Sequence, residues 1–125
     1  MAALPALHEL EAEVMEEIWR LEEATVRAVA DAVNARSDRE RSYTTYLTVL
    51  VRLDAKGFVA RRRVGKHDVY RPAISREAYR RTRSDADVAA LIDQYGDLAL
   101  AHFARHYSAL SPAQKRALRR LAEDD

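Results

Sequence analysis

The segment SYTTYLTVLVRLDAKGF, from Ser42 to Phe58, constrains the fold more than any other part of the chain. Its apolar residues recur at the i, i+3, i+4, i+7 spacing of one helix face: Tyr46, Val49, Leu50 and Leu53. Ser42 is a favoured N-cap, and Gly57 occupies the C′ position, where a left-handed residue commonly ends a helix. The segment therefore predicts a capped helix that buries one face.

The opposite face of this predicted helix carries an unusual set of side chains. It consists of Thr44, Thr45, Leu47, Thr48, Val51 and Arg52. Solvated helix faces are usually rich in Glu, Lys and Gln, and β-branched hydroxyl residues form helices less readily. This face therefore suggests a role other than solvation.

After Gly57 the pattern changes from helical to extended. FVARRRV (58–64) and HDVYRP (67–72) read as two short strands around Gly65-Lys66, and a glycine at the first loop position suits a two-residue type II′ hairpin. This register pairs Arg63 with Asp68 and Arg61 with Tyr70. Val59 and Tyr70 then share one face of the hairpin, directed toward the helices.

Two helices are predicted before this segment. The first extends from about Ala6 to Leu21, with an apolar stripe of Leu7, Leu10, Val14, Ile18 and Leu21. The second begins after the N-cap Thr25 and ends near Ala35. The polar run RSDRER (36–41) predicts a turn. Helix, helix, turn, helix and hairpin is the order of a winged helix-turn-helix.

Three more helices are predicted after the hairpin. Ser75 caps a long helix to about Tyr95, and a further helix covers 98–107. The last helix has the clearest start signal, with Ser111 as N-cap, Pro112 at N1 and Gln114 completing a capping box. The predicted fold class is therefore mainly α with a small β-hairpin wing. We divide the chain into a winged domain over 1–74 and a helical region over 75–125.

The net charge of +1 conceals an uneven distribution. From His8 to Asp31, eight acidic residues oppose two arginines, whereas from Arg36 to Arg83 fourteen Lys or Arg oppose five acidic residues. A basic middle in a nearly neutral chain indicates one polyanion-binding surface. A solvated charged face is the alternative that charge alone leaves open.

Composition excludes several classes of protein and site. The chain has no cysteine, so it has no disulfide, thiolate metal site or cysteine nucleophile. No apolar run approaches the roughly 18 residues of a membrane span, and the N-terminus lacks the features of a signal peptide. No nucleophile elbow, P-loop or glycine-rich phosphate cradle is present. We therefore expect a cytoplasmic protein that is not an enzyme, with no catalytic residue, cofactor or membrane insertion.

Winged helix-turn-helix geometry assigns the polar helix face to DNA, because the second helix of the motif docks in the major groove. Short hydroxyl side chains allow close approach and can bond to bases or phosphates, while arginines of the hairpin lie along the backbone or an adjacent minor groove. Leu47 and Val51 either face thymine methyl groups or make satellite core contacts. The candidate DNA-binding residues are Tyr43, Thr44, Thr45, Leu47, Thr48, Arg52, Arg61, Arg62, Arg63 and Lys66.

Two alternative functions remain open at this level. Some helix-turn-helix folds mediate only protein contacts. His102 and His106 also stand at i, i+4 on a predicted helix, a spacing that lets two imidazoles share one metal, although no carboxylate motif accompanies them. A winged-helix interaction module and a metal-responsive regulator are therefore the alternatives, and we assign no metal site.

The sequence resembles the penicillinase-repressor family, the BlaI/MecI/CopY group of bacterial winged-helix repressors, over about Leu7 to Ile74. The resemblance lies in LHELEAEVMEEIW, the TVR opening of the second helix, YTTYLTVLVRLDAKGF and YRPAI. It implies a transcriptional repressor that binds an inverted-repeat operator in double-stranded DNA, with TACA/TGTA half-sites. The family's recognition contacts fall on Thr44, Thr45, Thr48 and Arg52. Leu47 stands where a basic residue is typical, which alters the expected half-site preference.

The resemblance also implies a homodimer with entwined C-terminal helices. The residues expected at this interface are Leu91, Ile92, Tyr95, Leu98, Leu100 and Phe103.

Two features of the penicillinase-repressor family are missing from this sequence. The antibiotic-responsive members are cleaved at an Asn-Phe bond, whereas the only asparagine here is Asn34, so cleavage is not carried over. A membrane sensor-protease partner is left open and unproven. Copper-responsive members use cysteine pairs, which this chain lacks.

Overall fold

A computed structural model describes residues 4–124 of the chain. The elements in this range are α1 (Glu9–Leu21), β1 (Ala24–Thr25), α2 (Val26–Arg36), α3 (Tyr43–Ala55), β2 (Val59–Val64), β3 (His67–Pro72), α4 (Arg76–Tyr95), α5 (Asp97–Ser108) and α6 (Pro112–Glu123). They form two compact units, one that ends at Ser84 and one that begins at Asp85. The mainly helical fold with a small antiparallel sheet confirms the predicted class.

The core of the first unit lies where α1, α2 and α3 meet the base of the sheet. The apolar stripes predicted for the three helices supply most of it: Val14, Met15, Ile18, Val29, Val33, Tyr46, Leu50 and Leu53 are at most 3% exposed. Phe58, Val59 and Tyr70 complete it from the wing. Because α3 buries this whole face, its threonine-rich face is directed away from the core.

The sheet is antiparallel with strand order β1-β3-β2. The predicted hairpin register is confirmed, since Arg63 pairs with Asp68 and Arg61 with Tyr70. Gly65 has a φ of 61°, as the first position of a II′ turn requires. Strand β1 was not predicted, because two residues, Ala24 and Thr25, are too few to show a period; they pair with Tyr70 and Val69.

The C-terminus of α3 ends in a Schellman motif. The Phe58 amide donates to the Leu53 carbonyl at 2.9 Å, and the Gly57 amide donates to the Asp54 carbonyl at 3.1 Å. Gly57 has a φ of 85°, which a residue with a side chain adopts only with strain. Phe58 and Leu53 are both fully buried, so the same motif that ends the helix also fixes the start of the wing.

Most predicted helix starts are confirmed by their caps. Thr25, Ser42, Ser75 and Ser111 each accept the amide of the third following residue through the side-chain oxygen. The first helix begins at Glu9 rather than Ala6, so that boundary was wrong. His8 is extended because the Glu11 carboxylate accepts its amide at 3.0 Å, and this bond places the N-cap at His8.

A buried ion pair connects the first helix to the end of the third. Lys56 Nζ lies 2.7 Å from Glu11 Oε2, and Glu11 is only 3% exposed. Burial raises the pKa of the Glu11 carboxyl, but the hydrogen bonds from Lys56 and from the His8 amide outweigh burial and lower the pKa below its ordinary value. The pair therefore ties the C-terminus of α3 to α1 through a carboxylate that stays ionised.

Trp19 and the start of α4 close the open side of this core. The Trp19 indole donates to the Ile74 carbonyl at 2.9 Å, and its ring centroid lies 5.9 Å from that of Tyr79. Tyr79 also meets Phe58 edge-on at 5.5 Å and accepts the Leu7 amide at 3.1 Å. Trp19 therefore anchors α1 to the start of α4.

The second unit consists of the end of α4 together with α5 and α6. Within residues 85–124 no residue is buried. Several large apolar side chains are at least half exposed, including Leu98 and Phe103. In the part of the chain that the structure describes, every helix is too short or too polar to cross a membrane.

Candidate nucleic-acid interface

The exposed face of α3 brings together the hydroxyl residues that the sequence singled out. Thr44, Thr48 and Arg52 are exposed and Thr45 is half-buried, on three successive turns of one helix. They occupy this face because the residues between them form the buried stripe. This face extends over about two turns, and a helix with such short polar side chains is narrow enough to enter a DNA major groove.

The hydrogen bonds of these hydroxyl groups within the protein determine whether each can donate or accept a further bond to a ligand. Thr48 Oγ1 donates to the Thr44 carbonyl at 3.0 Å, so its proton is used and its free lone pair is an acceptor. Thr45 Oγ1 lies 3.1 Å from the Ser42 Oγ that caps the helix. Thr48 therefore presents an acceptor, and Thr45 presents a hydroxyl held in place by the cap.

Leu47 and Val51 differ in their surroundings. Leu47 is half-buried and packs against the core, whereas Val51 is 51% exposed. Leu47 thus makes the satellite core contact that sequence reasoning left open, and Val51 is the aliphatic residue that remains open to solvent. A contact of Leu47 with a thymine methyl stays a prediction.

A groove of about 380 Å³ separates the start of α2 from the tip of the wing. Its walls are Thr25, Val26 and Arg27 from the α2 start, Tyr43 and Leu47 from α3, and Arg63, Lys66, His67 and Asp68 from the hairpin. The N-terminus of a helix carries a partial positive charge that favours anions, and three cationic side chains add to it, against the one carboxylate of Asp68. The groove can therefore hold a phosphate group beside the first turn of α3.

Arg27 and His67 belong to this groove but were not among the candidate residues. The Arg27 guanidinium lies 5.6 Å from the centroid of the Tyr43 ring, a cation–π distance that holds both side chains at the groove mouth. Two signals in the sequence pointed to them: Arg27 follows the N-cap Thr25 by two residues, and His67 follows the turn at Gly65-Lys66.

The three arginines of β2 are exposed and already paired with carboxylates. Arg61 and Arg63 lie 3.8 Å and 3.4 Å from the two Asp68 oxygens, and Arg62 pairs with Glu23. Such exposed pairs are weak, so the guanidinium groups can exchange their carboxylates for phosphates. Lys66, also exposed, lies at the hairpin tip.

The second unit holds the residues predicted for dimerisation on an exposed apolar surface. Leu91, Ile92, Tyr95, Leu98, Leu100 and Phe103 are all exposed, each by at least 43%. A groove of this unit is lined by Leu91, Tyr95, Leu98, Ala99, His102, Phe103 and His106. The two histidines thus line one apolar groove, but the described residues contain no group of three side chains able to hold a metal.

Comparison with known proteins places this arrangement in a family. Residues 7–124 match the penicillinase repressor family along nearly the whole chain. The chain belongs to the penicillinase repressor family. The match includes the second unit, for which the sequence motifs alone showed little more than a similar layout.

The chain is similar to BlaI proteins both in sequence and in structure. The transcriptional regulator BlaI of two Mycobacterium tuberculosis strains is 42% identical over 78 residues, which cover 62% of this chain and 55% of the relative. The matched region thus spans little more than half of those relatives' length. A solution structure of the DNA-binding domain of the repressor BlaI superimposes with a TM-score of 0.53 and 30% identity, over 63% of this chain and 94% of that one.

A second solution structure shows a family member on DNA. Monomeric BlaI of Bacillus licheniformis in complex with the blaP half-operator is 29% identical, with a TM-score of 0.51, over 63% of this chain and 94% of that chain. The similarity to BlaI therefore extends to the three-dimensional structure of the winged unit. This unit carries the polar face of α3 and the basic groove.

Proposed function

We propose that this protein is a homodimeric transcriptional repressor that binds an inverted-repeat operator and thereby blocks a promoter. The observation that carries the proposal is the polar face of α3 lying beside a cationic groove in a penicillinase-repressor winged domain. The basic groove and wing provide affinity through phosphate contacts, and α3 provides sequence selection. No step of this function requires a catalytic residue or a cofactor.

In this proposal α3 enters the major groove with its N-terminal turn against the base edges. Bases or nearby phosphates are contacted by Tyr43, Thr44, Thr45 and Thr48. Leu47 determines how closely the first turns of α3 approach the bases. Arg52 and the wing cations reach the DNA backbone; these are Arg61, Arg62, Arg63 and Lys66. Arg27 joins them, because it shares the groove with Arg63 and Lys66.

Dimerisation is proposed from the exposed apolar surface of the second unit. A helical unit of about 40 residues with none buried gains too little from packing to offset its conformational entropy. A second copy of the same surface, related by a two-fold axis, is the simplest cover for it. The proposed contacts are the exposed Leu91, Ile92, Tyr95, Leu98, Leu100 and Phe103. Residues 1–74 then bind DNA and residues 75–125 join the protomers.

An inverted repeat follows from this symmetry, because two identical heads on a two-fold axis require two half-sites of opposite direction. That a BlaI monomer forms a complex with a half-operator supports one winged domain for each half-site. We propose half-sites of the TACA/TGTA kind, with Leu47 altering the preference within them.

The proposal is tested by fluorescence anisotropy with two duplexes across a salt series. One duplex carries a TACA/TGTA inverted repeat and the other a scrambled sequence of the same composition. We expect tighter binding to the repeat and a steep fall in affinity as salt rises. Equal and weak binding to both duplexes overturns the TACA/TGTA assignment. Selection from random duplexes then distinguishes a different half-site from the absence of sequence-specific binding.

A further inference from the structure

Asn34, the only asparagine of the chain, holds the turn between α2 and α3 by both ends of its side-chain amide. Asn34 Nδ2 donates to the Arg41 carbonyl at 3.0 Å, and the Arg41 amide donates to Asn34 Oδ1 at 3.0 Å. The side chain therefore satisfies both backbone groups of one turn residue, as a neighbouring strand would. The end of α2 is fixed to the residue that precedes the cap of α3.

The same amide also reaches α3 itself. The Tyr46 hydroxyl donates to Asn34 Oδ1 at 2.5 Å, and Tyr46 is fully buried. A buried phenol needs a hydrogen-bond partner, and this oxygen has two lone pairs, which the Arg41 amide and the Tyr46 hydroxyl occupy. Asn34, Arg41 and Tyr46 thus form one hydrogen-bonded cluster, which we name the latch.

The latch supplies directional contacts at a place where the other contacts have little direction. The α2–α3 contact is otherwise made by buried aliphatic side chains such as Val29, Val33 and Leu50. Apolar burial is non-directional, so it allows α3 to rotate or slide at modest cost, whereas hydrogen bonds restrict distance and angle. The other side-chain hydrogen bonds near the turn are local, from Arg39 to Ser37 and within the Ser42 cap. The ion pairs of Arg36 with Glu17 and of Arg41 with Glu13 connect the turn to α1, not α2 to α3.

We propose that Asn34 is a positioning residue for α3. The latch sets the rotation and tilt of α3 on α2, and therefore decides which exposed side chains of α3 meet the base edges. The effect on DNA rests on the proposed function, whereas the effect on the turn does not. Asn34 itself need not touch DNA, because its oxygen and one of its N–H groups already have partners inside the protein.

The first experiment compares Asn34→Ala and Tyr46→Phe with Val14→Ala. Val14 is fully buried in α1, so its truncation lowers stability without altering the latch. Affinities for the repeat and scrambled duplexes are measured at a temperature at which circular dichroism shows each variant to be folded. For Asn34→Ala we expect the repeat to lose roughly tenfold to a hundredfold in affinity, the size of one lost base contact, with scrambled binding unchanged.

Four variants separate positioning from stability alone. Tyr46→Phe removes only the hydroxyl and should lose part of the preference, whereas Val14→Ala should keep the full preference despite a lower melting temperature. Asn34→Asp retains the oxygen that accepts from Tyr46 and Arg41 but places a second oxygen against the Arg41 carbonyl, so it should recover only part of the preference. If Asn34→Ala keeps the wild-type ratio between the two duplexes, or if Val14→Ala loses it equally, the positioning role is overturned.

A measurement without DNA makes the latch testable independently of the proposed function. Amide hydrogen exchange of Arg41 should accelerate at least tenfold in Asn34→Ala and remain near the wild-type rate in Val14→Ala, after correction for global stability. Unchanged exchange at Arg41 overturns the latch even if DNA binding is intact. Faster exchange together with no preference of the wild type for the repeat would instead count against the operator and leave the latch supported.

Discussion

The hydroxyl group of Thr48 illustrates how a single hydrogen bond restricts recognition. Its proton is donated to the Thr44 carbonyl at 3.0 Å, so the hydroxyl can serve a base only as an acceptor. The acceptor role selects an amino group, such as those of adenine or cytosine in the major groove. Thr44 lies one turn earlier on the same exposed face.

Removing that acceptor should lower sequence-specific binding. We expect Thr48→Ala to weaken binding to the repeat duplex by ~1–3 kcal/mol and to leave binding to the scrambled duplex nearly unchanged. Thr45→Ala should act in the same direction, with an added loss at the cap. Titration by anisotropy measures both, with the exposed Asp54→Asn as a control on the same helix. Wild-type affinity in both threonine variants would remove this face from the interface.

Glu11 provides a second residue-scale prediction, on stability against pH. Its folded pKa lies below the ordinary value of 4.5, so it stabilises the fold fully at neutral pH, and this contribution is lost as pH falls through the folded pKa. We expect Glu11→Gln to melt well below wild type at pH 7, since Lys56 loses its buried partner at a cost of about 1–3 kcal/mol. The gap should narrow below pH 4.5, as wild-type Glu11 becomes protonated.

Melting temperatures of both proteins between pH 7 and pH 3 by circular dichroism measure this gap. Glu9→Gln, which alters an exposed carboxylate in the same helical turn, is the matched control and should change stability less. A gap between wild type and Glu11→Gln that stays constant with pH would contradict the role of the charged pair.

At the scale of elements, the features that depend on neighbouring residues could be predicted from the sequence, whereas those that depend on distant residues could not. Both ends of α3 follow from a few neighbouring residues, a serine cap and a glycine in the left-handed conformation, and both were predicted. The hairpin register followed from turn type and alternation. The first helix was misplaced by three residues because its start depends on the Glu11 carboxylate, which folds back onto His8.

The elements of the candidate site that sequence reasoning missed depend on tertiary contacts. Strand β1 exists because Ala24 and Thr25 pair with β3, far along the chain. Arg27 belongs to the groove because α2 starts opposite the wing tip, and the Asn34 amide was an isolated polar residue until the turn placed Arg41 beside it. None of these contacts leaves a period in the sequence.

The wing supplies the element-scale prediction, because in the proposed complex Arg62 would exchange a carboxylate for a phosphate. Arg62 pairs with Glu23 in the free protein, so binding to phosphate requires that this pair separates. We expect Arg62→Ala to weaken binding to both duplexes alike and to flatten the slope of log affinity against log salt by about 0.9 for the phosphate lost. Measurement of both duplexes at four or more salt concentrations gives this slope.

Glu23→Gln is the companion variant and should act in the opposite direction. Without its carboxylate partner, Arg62 is free to meet the backbone, and binding to both duplexes should tighten. The same Glu23→Gln change in an Arg62→Ala background should have a smaller effect, because the competing pair is already absent. An equal effect of Glu23→Gln in both backgrounds would mean that the carboxylate acts by general charge rather than through Arg62.

At the scale of the molecule, the prediction concerns pairing through the second unit. We expect Leu98→Glu to convert the protein to a monomer, because a charge would be buried in an apolar contact. Sedimentation velocity measures the mass, and circular dichroism should show a loss of helix. Leu121→Glu, which changes an equally exposed leucine outside the proposed contact, is the control and should leave the mass of the dimer unchanged. A Leu98→Glu variant that stays dimeric would exclude this surface.

The DNA readout of the same variant separates the two units. Leu98→Glu should bind a duplex with one half-site as wild type does, since the winged unit has its own core. It should bind the full inverted repeat much more weakly, because the second head no longer gains from a high effective concentration. Loss of half-site binding as well would indicate that the two units do not fold independently.

Under the proposed pairing, the absence of burial within residues 85–124 would also make the lifetime of the protein depend on its own concentration. When pairing is what orders these helices, scarce copies remain solitary, and their loosened C-terminal segments are open to proteases. Abundant copies associate and survive. Half-life then rises with concentration, so small changes in synthesis are amplified into larger changes in promoter occupancy. Such concentration-dependent degradation would make promoter occupancy respond more steeply to the rate of synthesis, without any bound effector.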